Sequence, residues 1–275
     1  MAYHTPTDLG SALTIAGQSG GTIVAGGTDI YPAAKQGVRP AFFLDVTRIP
    51  GFAGISRQAE NIRIGAATTW TQIAKADLPP AFDSLKQAAV EVGSIQIQNA
   101  GTIAGNICNA SPAADGVPPL LALNAQVELA SIQNGTRILP LSDFIQGIRK
   151  TALSKDELVT AILIPPTPAN ASSAFEKLGS RRYLVISISM VAAIITRDGN
   201  GLISDAAIAV GACSPVAMRL TQLERDLIGK HPSEIAVTQQ HLSTLSPITD
   251  VRGSAHYRLD AVVAQCTRAI QRACA

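Results

Sequence analysis

Charge and aromatic rings are scarce in this chain. Of its 275 residues only 15% are charged and 4% aromatic, with a single tryptophan. The net charge is +2, there is no lysine or arginine run, and no basic stretch is interleaved with aromatics, so the footprint of a nucleic-acid-binding protein is missing. The four cysteines, Cys108, Cys213, Cys266 and Cys274, form no C-x-x-C pair, and no His/Cys cluster has ligand spacing. An iron–sulfur cluster needs about four thiolates, usually with local pairs, so none is expected here; the cysteines read as small buried hydrophobes. No uncharged apolar run reaches the roughly 18 residues of a membrane span. No basic segment followed by an apolar one opens the chain, so no signal peptide is expected and a cytoplasmic location is. The phosphate-binding pattern G-x-x-x-x-G-K-[ST] and the dinucleotide fingerprint G-x-G-x-x-G are both absent, which excludes a Walker-type NTPase and disfavours a Rossmann NAD site. None of His4, His231, His241 and His256 neighbours a motif carboxylate or serine, and nothing marks a base beside Ser111. Nucleophilic catalysis of the Ser-His type is therefore not indicated.

What the chain does have is apolar mass and glycine. Hydrophobic residues make up 47% of it. A chain of this length buries a sizeable core and holds two or three subdomains. The apolar excess fits either an alanine-rich core or extra surface covered by partner subunits. Two glycine turns stand out: Ala25-Gly26-Gly27-Thr28-Asp29, and the longer run from Gly101 to Asp115. Glycine lets a backbone approach something closely with no Cβ in the way. Consecutive amides in such a turn form a concave anion site suited to phosphate. Two such turns point to a ligand with two phosphates, or to one phosphate held from both sides.

Local patterning supplies an outline. Asp8 is placed to cap a helix over 9–16 that Gly17 ends. A strand over 22–25 runs into Gly26-Gly27, with a helix expected to begin at Thr28 and Asp29 and continue through Ala33, Ala34 and Lys35. Such a strand–turn–helix layout aims amides at a phosphate. Strands are expected over 42–46, 61–65, 127–130 and 158–164, and helices over 69–76 and 80–92. Pro165-Pro166-Thr167-Pro168 cannot continue a strand ladder and marks a boundary. Beyond it, strands over 173–178, 186–196 and 203–210 precede helices over 217–227, 232–245 and 255–274, an α+β layer.

Several motifs in order resemble the FAD-binding medium subunit of the molybdenum hydroxylases, the xanthine dehydrogenase and carbon monoxide dehydrogenase family. The family pattern of Ala-Gly-Gly-Thr/His-Asp/Ser, Gly-Thr-Ile-Gly-Gly-Asn and Ala-Ser-Pro-x-x-Asp is matched by 25–29, by Gly101-Thr102-Ile103-Ala104-Gly105-Asn106 and by Ala110-Ser111-Pro112-Ala113-Ala114-Asp115. Ile64-Gly65-Ala66-Ala67-Thr68-Thr69, the segment from Lys177 to Arg182, that from Gly211 to Pro215, and that from Arg252 to Arg258 also match, so the resemblance spans nearly the whole chain.

The resemblance implies an α+β protein: a two-subdomain FAD-binding fold of the vanillyl-alcohol-oxidase (PCMH) type plus an α+β C-terminal domain. The divisions expected are 1–52, 53–165 and 169–275. It implies that amides of Val24, Ala25, Gly26, Gly27 and Thr28, with Asp29, cradle the FAD pyrophosphate. Thr102, Ala104, Gly105 and Asn106 then form the second cradle, and Asn109 and Asp115 hydrogen-bond the cofactor. Asp115 reads otherwise as a helix N-cap. Lys177 matches a lysine at the isoalloxazine edge, where a cation stabilises an anionic reduced flavin; Ile186 matches a position near the ring. Two residues depart from the pattern: Ala104 stands for a common glycine, and Val185 for the aspartate of many relatives. No histidine sits where flavin-linking relatives attach FAD, so non-covalent FAD is expected. The resemblance assigns molybdenum cofactor to a large partner subunit and two [2Fe–2S] clusters to a small one, in a dimer of heterotrimers, with this chain as the electron relay. A standalone flavin oxidoreductase of the same fold and a FAD-free assembly subunit are the alternatives.

Overall fold

The computed structural model describes residues 2–30, 40–182 and 184–275. A three-stranded parallel sheet comes first. Strand β1 (Ala2–His4), helix α1 (Leu9–Ala16), strand β2 (Gly21–Val24) and strand β3 (Phe42–Asp45) follow one another, and the sheet order is β1-β3-β2. Asp8 starts α1 as expected: its Oδ1 accepts the Ser11 amide at 2.8 Å, satisfying one of the free first-turn donors. The helix expected through Ala33, Ala34 and Lys35 lies outside the described residues.

The second layer holds strands β4 (Ile55–Gln58) and β5 (Asn61–Gly65), then five helices: α2 (Trp70–Lys75), α3 (Asp83–Glu91), α4 (Ile95–Ala100), α5 (Ile103–Asn109) and α6 (Val117–Ala122). Strands β6 (Gln126–Ser131) and β7 (Gly135–Pro140), the short helix α7 (Leu141–Phe144), the hairpin β8 (Ile145–Gly147) and β9 (Lys150–Thr151), and strand β10 (Leu158–Ile164) complete it. The antiparallel sheet has the order β4-β5-β10-β6-β7. Its central strand β10 is buried at every residue, which is why its sequence is an almost unbroken apolar run.

The last layer is the antiparallel sheet β11 (Ala171–Leu178), β12 (Ser189–Arg197), β13 (Ile203–Gly211) and β14 (Met218–Arg219), in that order, followed by helices α8 (Thr221–Leu227) and α9 (Ala255–Cys274). Strand β12 is sandwiched. Met190, Ala192 and Ile194 face the N-terminal core; Val191, Ala193 and Ile195 face the cluster under α9. Period-two alternation thus sends each residue of the pair to a different core. Residues Val262, Cys266, Ala269, Ile270 and Ala273 form the buried stripe of α9 at three- and four-residue spacing.

Several elements differ from the sequence expectation. The long glycine run is not an open turn: Thr102 caps a helix inside it and Ser94 caps another just before it, their hydroxyls accepting from Gly105 N at 3.2 Å and Ile97 N at 3.4 Å. The expected helix over 217–227 begins only at Thr221, since Met218 and Arg219 pair with β13. The expected helix over 232–245 is two 3-10 turns, Pro232–Glu234 and Gln239–Leu242. The chain restarts at His231 and Thr238: His231 Nδ1 accepts the Ser233 amide and His241 Nδ1 accepts the Thr238 amide, so ring nitrogens take local amides that a continuous helix would need. The helix expected over 80–92 opens as the 3-10 turn Pro80–Phe82 before α3. Asp115 is not a cap; Gly116 occupies that position before α6, and no side chain caps the helix.

Candidate functional site

The two glycine turns meet. Gly26 lies so close to the second turn that a β-carbon there would overlap the Ala100 carbonyl oxygen. Gly27 follows with φ at +69°, a left-handed conformation, and its missing side chain would point into nearly empty space. The first glycine is needed for the approach and the second for the bend. Thr69 and Thr102 form an isolated β-bridge, and Trp70 N donates to the Gly101 carbonyl at 3.2 Å, so α2 is tied to the same junction.

Around this junction opens a cavity of about 1000 Å³, within the size range of a cofactor site. Its walls include Ala25, Gly26, Gly27, Thr28 and Asp29 from the first turn, and Thr102, Ala104, Gly105, Asn106 and Asn109 from α5 and its cap. Ten of the fourteen residues singled out from sequence are therefore brought together. Val24, Asp115, Lys177 and Ile186 do not line it. Gly101, which opens the second turn, also lines it; wall residues that the sequence did not assign to the site include Phe43 in β3, Val46, Trp70, Cys108 and the segment from Glu157 to Val159 at the start of β10. Trp70, the only tryptophan, directly follows the matched segment that ends at Thr69, a signal that was available.

One polar atom inside this wall has no partner. Asn106 Oδ1 is buried and accepts no hydrogen bond, and it faces Gly116, which packs against the Trp70 ring. Buried oxygens are nearly always satisfied, so an orphan in a cavity wall fits a ligand donor. Burial pushes the Cys108 thiol up to about 12, which leaves it a neutral part of the wall. None of the four histidines lines the cavity.

Asp115, Lys177 and Ser187 form a separate buried cluster beside it. Lys177 Nζ donates to Asp115 Oδ2 at 2.8 Å and to the Glu91 carbonyl at 2.9 Å, and the Ser187 hydroxyl donates to Asp115 Oδ1 at 2.6 Å. Burial pushes the Asp115 carboxyl up, and the Lys177 ammonium and Ser187 hydroxyl oppose it. The cluster joins α3, the segment before α6, strand β11 and the loop that enters β12. Ile186, adjacent, is exposed, and Val185 packs its side chain onto Gly179. Among the described residues no group of three His, Cys, Asp or Glu side chains could hold a metal ion, and no helix is long and apolar enough to cross a membrane.

Residues 1–167 match the FAD binding domain in molybdopterin dehydrogenase. The chain belongs to that family. Residues 173–273 match the CO dehydrogenase flavoprotein C-terminal domain. Among curated relatives, the 6-hydroxypseudooxynicotine dehydrogenase complex subunit alpha of Paenarthrobacter nicotinovorans is 31% identical over 91% of this chain and 86% of its own length. The nicotinate dehydrogenase FAD-subunit of Eubacterium barkeri is 34% identical over 75% and 71%. Among solved structures, the carbon monoxide dehydrogenase of Hydrogenophaga pseudoflava superposes with a TM-score of 0.91 at 29% identity, covering 99% of this chain and 96% of that one. This is a molybdopterin dehydrogenase FAD subunit, an oxidoreductase flavoprotein, and the cavity is the feature of it that suits a dinucleotide.

Proposed function

We propose that this FAD subunit holds one non-covalent FAD in the cavity between its two glycine turns, placed between a reduced [2Fe–2S] cluster of a small partner subunit and an external acceptor. A large subunit with molybdenum cofactor oxidises the substrate in this reading, and two such heterotrimers associate. The orphaned Asn106 Oδ1 in the wall of this cavity carries the reading, beside the glycine cradle where the two turns meet. When bound, the flavin supplies the redox chemistry.

The chain's own residues do the rest. Gly26, Gly27 and Thr28 on one side present amides, and Thr102, Gly105 and Asn106 on the other present small or polar side chains, to the pyrophosphate and the chain next to it. Trp70, Phe43 and Val46 exclude water from the wall. Lys177 spends two of its three protons on Glu91 and Asp115; the third is the one available to the flavin edge. Asp115 and Ser187 fix that ammonium, and so the start of β12 next to Ile186. The three divisions 1–52, 53–165 and 169–275 place this cluster at the seam of the last two, and a cytoplasmic location completes the proposal.

Purification of the protein with its bound partners tests the reading. Iron and molybdenum should co-elute with flavin at one FAD per copy of this chain. Elution of the chain alone with full flavin would instead favour the standalone oxidoreductase.

A further inference from the structure

The tip of the β8–β9 hairpin carries a residue that the turn itself does not favour. Arg149 has φ at +57°, a left-handed conformation that glycine or asparagine takes with least strain. The side chain is exposed, so packing does not demand it either. Its bonds do account for it. Arg149 N donates to the Ala110 carbonyl at 2.9 Å, and Nη1 donates to the Asn109 carbonyl at 3.0 Å and to Asn109 Oδ1. Ala110 is itself left-handed, with φ at +44°, where α5 ends. One arginine thus gathers the last carbonyls of α5 and the side chain of its final residue.

Asn109 lines the cofactor cavity. An asparagine amide can present either its oxygen or its nitrogen, but a guanidinium is a donor only. Facing Arg149, the amide must turn Oδ1 toward it, which leaves Nδ2 for the cavity. That nitrogen makes no hydrogen bond among the described residues. We infer that Arg149 is a positioning residue of the FAD cavity: it locks the Asn109 amide so that an N–H, not a carbonyl, meets an acceptor atom of the dinucleotide. This rests on the FAD reading above.

The test uses the full-length chain stripped of flavin and titrated with FAD. The single tryptophan, Trp70, lines the same cavity, so quenching of its fluorescence reports binding without any turnover. Arg149→Gly should unfold at the same or a higher temperature than the parent, because glycine suits the left-handed turn. It should bind FAD about three- to tenfold more weakly, the effect of a donor that is no longer fixed in place. Asn109→Asp keeps an acceptor for Arg149 but has no proton to donate, and should weaken FAD about tenfold or more. If Arg149 served only the fold, Arg149→Gly would lower the melting temperature and leave FAD affinity unchanged. Parental affinity in either variant overturns the inference while the FAD reading stands. A parent chain that takes up no FAD overturns both.

Discussion

Two adjacent glycines that look equivalent in sequence do different work. Gly26 allows the two turns to touch; Gly27 allows the chain to bend around open space. Gly26→Ala should cost more than about 2 kcal/mol of stability in the flavin-free chain, because the displaced neighbour is backbone and cannot rotate away. Gly27→Ala should cost about 1–2 kcal/mol from its positive φ. Denaturant melts of the two flavin-free variants check the ranking. The sequence made this cradle legible because glycine tolerance is a local property. It did not make legible that Asp115 and Lys177 would face each other, since that contact spans a fold that local pattern does not encode. Their pairing carries its own expectation. Lys177→Met should destabilise by about 3 kcal/mol, because it leaves a buried carboxylate without its cation. Adding Asp115→Asn should restore part of that loss, and a double-mutant cycle measures the coupling.

At the scale of elements, the strands were the readable part. The expected spans over 61–65, 158–164 and 203–210 fall on β5, β10 and β13, because continuous or alternating apolar runs are what buried strands require. Strands β1, β4 and β7 went unread; they are short or exposed on most positions, so burial leaves little pattern in them. Helices α4 and α5 were hidden for another reason: each is a short helix opened by a serine or threonine cap, α5 inside the stretch read as a turn and α4 just before it. Helix α9 was legible, and its anchorage gives a pH expectation. Asp250 accepts the Arg252 amide at 2.9 Å and the Arg258 guanidinium at 2.7 Å, and these bonds, the amide first, hold its carboxyl down to about 2. A carboxyl lowered on folding stabilises the native state above its ordinary value of 3.8, and that contribution disappears as pH falls toward 2. Glu157, lowered chiefly by Arg137, acts in the same direction. The melting temperature should therefore drop on acidification below about pH 4, and less steeply in Asp250→Asn than in the parent.

For the whole molecule, the apolar excess read from composition goes both ways. Much of it is alanine packed into two cores, yet Leu184, Ile186, Ile248 and Val251 remain exposed around the loop that enters β12 and the turn before α9. Such side chains on one region suit a surface that a partner subunit covers. Replacing Ile248 and Val251 together by serine should leave FAD binding intact and weaken co-elution of iron and molybdenum, measured on the purified complex. The central claim is simpler, and one measurement addresses it directly. The full-length chain is mixed with excess FAD, freed of unbound flavin by gel filtration, scanned in the visible range, and then precipitated with acid. The account predicts flavin absorption corresponding to one FAD per chain, all of it released to the supernatant. A chain that emerges without flavin bands, or that keeps its flavin in the pellet, would contradict it.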